Sequence, residues 1–136
     1  MAVRVVIAED EWVVAEEIRL ELVGLGYEVL AVARTGTEAL DLCVQQRPDL
    51  MLMDLRMPDM DGLVATSRIM SSCPLCVIII TGYPELREQA ERAGAVGYLT
   101  KPFTAGLLAE TLQAARERFA RLMGAQEGQE GDARPV

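Results

Sequence analysis

Asp54 ends an apolar run, Leu50-Met51-Leu52-Met53, that reads as a buried strand. Glu9 and Asp10 end another such run in the same way, Thr81 follows a third, and Lys101 stands just past a fourth. Lys101 is the one lysine among 13 basic residues, the rest being arginines. That choice asks for a compact point charge on a thin stem, which a planar guanidinium does not supply. Three carboxylates brought together repel: at ~4 Å two unit charges cost on the order of 4 kcal/mol at an effective dielectric of about 20. Lys101 offsets one charge, and a hard divalent cation would offset two. Mg²⁺ asks only for a few carboxylates, waters and a phosphate oxygen. A carboxylate held there can attack phosphorus as a nucleophile. Phosphoryl transfer then needs in-line positioning and positive charge around the equatorial oxygens. The residue types therefore point to a cation-and-phosphate pocket: Asp54 attacks, and Lys101, the Thr81 hydroxyl and nearby amides surround the transferred group.

Strands must converge for this to happen. Val3–Ala8 is short and β-branched, and Glu11–Leu25 carries Val14, Ile18, Leu22 and Leu25 on one helical stripe that stops at Gly24 and Gly26. Tyr27–Ala33 reads as the second strand. Thr35-Gly36-Thr37-Glu38 fits a capping box and opens a helix to about Gln46. Leu50–Asp54 is the third predicted strand, Leu63–Ser72 a helix, Cys76–Ile80 the fourth strand and Glu85–Ala93 a helix entered through Pro84. Ala95–Leu99 is the fifth predicted strand, and a last helix runs from about Thr104 to Met123. This alternation predicts an α/β fold, a flavodoxin-like (βα)5 doubly wound parallel sheet in the order 2-1-3-4-5. In such a sheet every strand ends on the same edge, and ligands bind where the strand order reverses, here between the first and third strands. Residues 1–123 form the expected domain, and the glycine-rich, charged stretch 124–136 reads as a flexible tail.

Composition narrows the function. The net charge of −8 argues against a nucleic-acid groove. The chain has no histidine, which removes histidine bases, histidine metal ligands and a phosphohistidine carrier. No apolar run is long enough to span a membrane, and the start reaches acidic residues too early for a signal peptide. The expectation is a cytoplasmic protein whose cysteines, Cys43, Cys73 and Cys76, are free thiols. Asp59 and Asp61 read as loop residues, Gly62 as a turn glycine, and the methionines as core filler.

Four motifs occur in order at the strand ends: IAEDE (7–11), MDLRMPDMDG (53–62), IITG (79–82) and YLTKPF (98–103). With them the chain resembles the response regulator receiver domain of two-component signalling, of the chemotaxis-regulator type, over residues 3 to 121. The resemblance implies that Asp54 is the phosphoacceptor. It implies that Asp10 binds Mg²⁺ directly, that Glu9 does so through water, and that the main-chain carbonyl of Arg56 is a further ligand. Thr81 would hydrogen-bond the phosphoryl group, Lys101 would pair with one of its oxygens, and Pro102 would follow through a cis peptide. Tyr98 matches the switch aromatic. The donor would be a phosphohistidine on a sensor histidine kinase or phosphotransfer protein, and the readout binding of a downstream target protein, with a phosphorylation-dependent dimer as a further expectation. Glu9 stands where the family more often has Asp. Arg56 and the aromatic Tyr83 occupy positions that tune dephosphorylation.

Three other functions compete. A haloacid-dehalogenase-like phosphatase with an aspartate nucleophile would place its two acids as D-x-D on one strand, whereas Asp54 stands alone. A flavin module would need a Ser/Thr/Gly-rich first loop, and AEDEWV is the opposite. A degenerate receiver acting only as a binding surface would not need the full acid, threonine and lysine set. Turnover of external substrates is not expected; the chain would catalyse its own phosphorylation and dephosphorylation.

Overall fold

The computed structural model describes residues 2–133, with side chains described through Gly124. Among these residues, strands and helices alternate: β1 (Arg4–Ala8), α1 (Trp12–Gly24), β2 (Glu28–Ala33), α2 (Gly36–Gln46), β3 (Leu50–Asp54), α3 (Gly62–Ser72), β4 (Cys76–Thr81), a 3₁₀ turn at Pro84–Leu86, α4 (Arg87–Ala93), β5 (Gly97–Thr100) and α5 (Ala105–Ala133). The sheet is parallel in the predicted order β2-β1-β3-β4-β5.

Strand alternation builds two cores, one on each face. Val5, Ile7, Leu50, Leu52, Ile78 and Ile80 pack with Ile18 and Leu22 of α1 and with Leu108, Leu112 and Ala115 of α5. Val6, Ala8, Met51, Met53, Val77 and Ile79 pack with Ala39 and Cys43 of α2, Ala65 and Ile69 of α3, and Ala90 of α4. Full burial of one such aliphatic side chain stabilises by about 1.5–3 kcal/mol. The sheet is thereby covered on both faces, which leaves its edges of strand termini as the place for chemistry.

Departures from the predicted elements have local causes. Pro84 tightens the start of the fourth helix into a 3₁₀ turn, so α4 proper begins at Arg87. Gly94 takes φ +111° and ends α4, and the N–H of Ala95 bonds back to Ala90 at 3.0 Å, so β5 starts at Gly97 instead of Ala95. The last helix passes Met123 and reaches Ala133. The tail expected over 124–136 thus overlaps helical backbone up to 133, and residues 134–136 lie outside the described residues. The expectation of three free thiols is corrected: Cys43 on α2 and Cys73 at the C-terminal end of α3 are joined as a disulfide, and Cys76 is free and buried. Sequence spacing did not reveal that the last turn of α2 and the end of α3 pack side by side. No helix among the described residues is long and apolar enough to cross a membrane.

Candidate functional site

The register explains the acid cup. In the β1–β3 ladder Ile7 pairs with Leu52 and Ala8 with Met53. One step further brings Glu9 beside Asp54, on neighbouring parallel strands about 4.8 Å apart. Both are buried, at 1% and 8% relative exposure. Asp10 is exposed, and carboxylate oxygens of Glu9, Asp10 and Asp54 lie within 4.8 Å of one another.

Lys101 arrives from the end of β5. Its N–H bonds to the Thr81 carbonyl at 2.7 Å, and its peptide bond to Pro102 is cis. From there the ammonium donates to Glu9 Oε1 at 2.8 Å and to Asp54 Oδ2 at 3.0 Å. Arg56 N–H donates to the other Asp54 oxygen, Oδ1, at 3.3 Å.

These contacts drive the two acids apart in acidity. Burial, then the hydrogen bond to Asp54, pushes the Glu9 carboxyl up to about 8. Burial works on Asp54 in the same direction, but hydrogen bonds from Glu9 and Lys101 outweigh it and hold Asp54 below the usual carboxylate range. Burial alone would lower Lys101; its bonds to Glu9 and Asp54 win and raise it. Lys101 is the counter-charge shared by both acids.

The other predicted residues lie around this centre. Thr81 is buried, but its hydroxyl is on the loop and not on Asp54: it accepts from Tyr83 N–H at 3.2 Å. Tyr98 is half-buried and its hydroxyl donates to the Tyr83 carbonyl. The Arg56 guanidinium stacks on the Tyr83 ring at 4.3 Å, spanning the mouth from one loop to the next. Beside it, Asp10, Leu55, Arg56, Met57, Pro58 and Asp61 line an open cleft of about 400 Å³.

The donor set fits a hard cation. Among the described residues Glu9 Oε2 is buried without a hydrogen-bond partner, an orphan acceptor that costs about 1–3 kcal/mol unless something occupies it. Three carboxylates of this kind match Mg²⁺, which binds oxygen donors and keeps several waters.

Two residues read from the sequence as plain loop have partners. Asp61 accepts from Leu63 N–H at 2.6 Å and caps α3. Asp59 reaches the start of α2 and accepts from Gly36 N–H at 2.7 Å. The turn preference of Asp was visible; the tertiary partner of Asp59 was not, because it lies 23 residues away.

Comparison with known proteins agrees with the fold. The family model described as the response regulator receiver domain matches residues 5–113. A transcriptional regulatory protein of Mycobacterium tuberculosis, PdtaR, is 38% identical over 121 residues, covering 88% of this chain and 59% of that protein. The positive alginate biosynthesis regulatory protein of Pseudomonas aeruginosa is 41% identical over 115 residues, covering 82% of this chain and 46% of the relative. The chain thus spans about half the length of these curated relatives. A CheY-like response regulator receiver domain protein from Methanospirillum hungatei superposes with a TM-score of 0.81 at 27% identity, covering 89% of this chain and 98% of that one.

Proposed function

The chain belongs to the response regulator receiver domain family of two-component signalling, and from that premise we propose that it is a phosphoacceptor switch with Asp54 as the acceptor. The observation that carries this is the ion pair at one rim between Asp54 and Lys101, beside two further acids. In the proposed step an Asp54 oxygen attacks phosphorus in line. The O–P bond forms as the P–N bond of a partner's phosphohistidine breaks, and the imidazole leaves.

Glu9, Asp10, Asp54 and the carbonyl of Arg56 would hold Mg²⁺, which when bound supplies charge to the developing equatorial oxygens. Lys101 can exchange Asp54 Oδ2 for a phosphoryl oxygen while keeping Glu9. Thr81 can turn its hydroxyl from the Tyr83 N–H toward the phosphoryl group. That turn releases the Tyr83 amide and loosens the segment whose carbonyl holds the Tyr98 hydroxyl. Phosphorylation would in this way bias a pre-existing equilibrium over α4, β5 and α5, the surface offered to a downstream partner. Arg56 stacked on Tyr83 narrows the approach of water and would lengthen the life of the phosphorylated state.

The test is labelling by a small phosphodonor such as acetyl phosphate with Mg²⁺. Wild type gains one phosphoryl group by intact mass, and Asp54→Asn gains none. Lys101→Ala is still labelled, but its partner binding no longer responds. Undiminished labelling of Asp54→Asn would dispose of the reading.

A further inference from the structure

The β3–α3 loop, residues 55–61, carries two acids beyond Asp54, and each serves a different helix. Asp61 caps α3, the helix that follows it. Asp59 crosses to α2, where Oδ1 accepts from Gly36 N–H at 2.7 Å and Oδ2 accepts from Thr37 N–H at 3.1 Å and from the Thr37 hydroxyl. The first N–H groups of a helix have no intrahelical partner and sit at the positive end of its dipole, so a carboxylate is stabilised there. The Thr37 hydroxyl, then the amides, hold the Asp59 carboxyl below its usual range. Met60 adds a packing contact: a Cβ built on Gly36 would fall 2.6 Å from Met60 Cβ, so only glycine lets the loop tip seat on α2.

The other end of the loop is closed as well. Gly62 N–H bonds to the Leu55 carbonyl at 2.9 Å, and a Cβ on Gly62 would overlap the backbone of Asp54 and Leu55. Asp54 and Arg56 flank this neck. The loop is thus fixed at neck and tip, the tip by Met60 against Gly36 and by the Asp59 carboxylate, which makes three hydrogen bonds.

We propose that Asp59 is a positioning residue: its carboxylate locks the tip of the β3–α3 loop onto the first turn of α2 and thereby holds Asp54 and the Arg56 backbone in the geometry that cation and phosphoryl group require. This rests on the reading of Asp54 as phosphoacceptor. Asp59 lies in the loop that follows Asp54, and its partners on α2 account for its charge. Without the lock, residues 55–61 regain freedom, and the Arg56 carbonyl loses its fixed orientation. Loss of a group that orients a metal ligand costs on the order of 10–100-fold in affinity or activity.

The test compares Asp59→Ala, Asp59→Asn and Thr35→Ala in the full chain. Thr35 caps the same helix through Glu38 N–H at 3.1 Å, a bond made within its own segment and not to the loop, so it controls for loss of helix stability. Mg²⁺ binding is followed by calorimetry and by emission of Trp12, the single tryptophan; labelling by acetyl phosphate is followed by intact mass. Asp59→Ala is expected to raise the Mg²⁺ half-saturation on the order of tenfold and to slow labelling by a similar factor. Asp59→Asn, which keeps one acceptor oxygen, falls between. Thr35→Ala lowers the melting point comparably and leaves Mg²⁺ binding and labelling unchanged. If Asp59→Ala shifts Mg²⁺ binding and labelling no more than Thr35→Ala does, Asp59 is a helix cap only and the proposal is overturned. Labelling of wild type and Asp54→Asn alike would instead remove the phosphoacceptor reading, and the positioning role with it.

Discussion

Two loops meet over Asp54, and they are held in different ways. The β3–α3 loop is pinned by backbone and packing: the Gly62–Leu55 neck, the Asp59 bonds to α2, and Met60 against Gly36. The β4–α4 loop is held by contacts at Tyr83: its N–H on the Thr81 hydroxyl, its carbonyl accepting from the Tyr98 hydroxyl and the Leu86 N–H, and its ring under Arg56. A Cβ on Gly82 would meet nothing within 4 Å, and α4 beyond it buries only Ala90. Close packing resists displacement, whereas a part-buried hydrogen bond exchanges at little net cost once a new partner takes its place. On the proposed function, the first loop would hold the reacting atoms still, and the second would change partners when a phosphoryl oxygen arrives beside Thr81.

The contrast can be broken most severely at its glycines. Gly62→Ala forces backbone to move beside Asp54, and overpacking of this kind costs about 1–3 kcal/mol; denaturant unfolding should show that loss. A melting curve like that of wild type would mean that the neck is not rigid. Next in size is a pH effect at the rim. Glu9 is pushed up to about 8 from an ordinary 4.5, so between those values the folded chain binds more protons than the unfolded one. The contribution of Glu9 to the stability of the cation-free chain then falls as pH rises through that window. Thermal melts in a chelating buffer near its two ends should show the fall in wild type and its loss in Glu9→Gln; a rise with pH would contradict the buried, orphaned carboxyl. Smaller still is Arg56→Ala, which removes a stack worth about 0.5–1 kcal/mol between the two loops. The phosphorylated state should then decay a few-fold faster, and an unchanged or slower decay would show that the stack does not shield the site. Least affected is Gly82→Ala, expected within about 0.5 kcal/mol of wild type. A loss there as large as that of Gly62→Ala would erase the distinction between the loops.

What was legible in the sequence follows from range. Strand alternation and the five-fold β–α repeat needed only local periodicity, the sheet order came from the flavodoxin-like pattern, and β3 begins and ends at the predicted residues. The convergence of Glu9, Asp10, Asp54 and Lys101 was readable because parallel strands must end on one edge. Element ends were less readable where a local turn competed, as at Pro84–Leu86 and at Gly94. Side-chain partners away from the strand ends were not readable. Asp59 looked like turn chemistry until α2 appeared beside it, and Cys43 and Cys73, 30 residues apart, looked like separate thiols. The capping box was half right: Thr35 accepts from Glu38 N–H, but the Glu38 carboxylate returns to Arg34 N–H, one residue earlier than the motif predicts.

The most direct measurement localises the acceptor chemically. The chain is labelled with acetyl phosphate and Mg²⁺, the acyl phosphate is reduced with borohydride, and the modified residue is read from peptide masses. The account predicts that residue 54 alone is converted to the corresponding alcohol and that Glu9 and Asp10 are untouched. Conversion at Glu9 or Asp10, or no conversion in a chain shown to bind Mg²⁺, would contradict it.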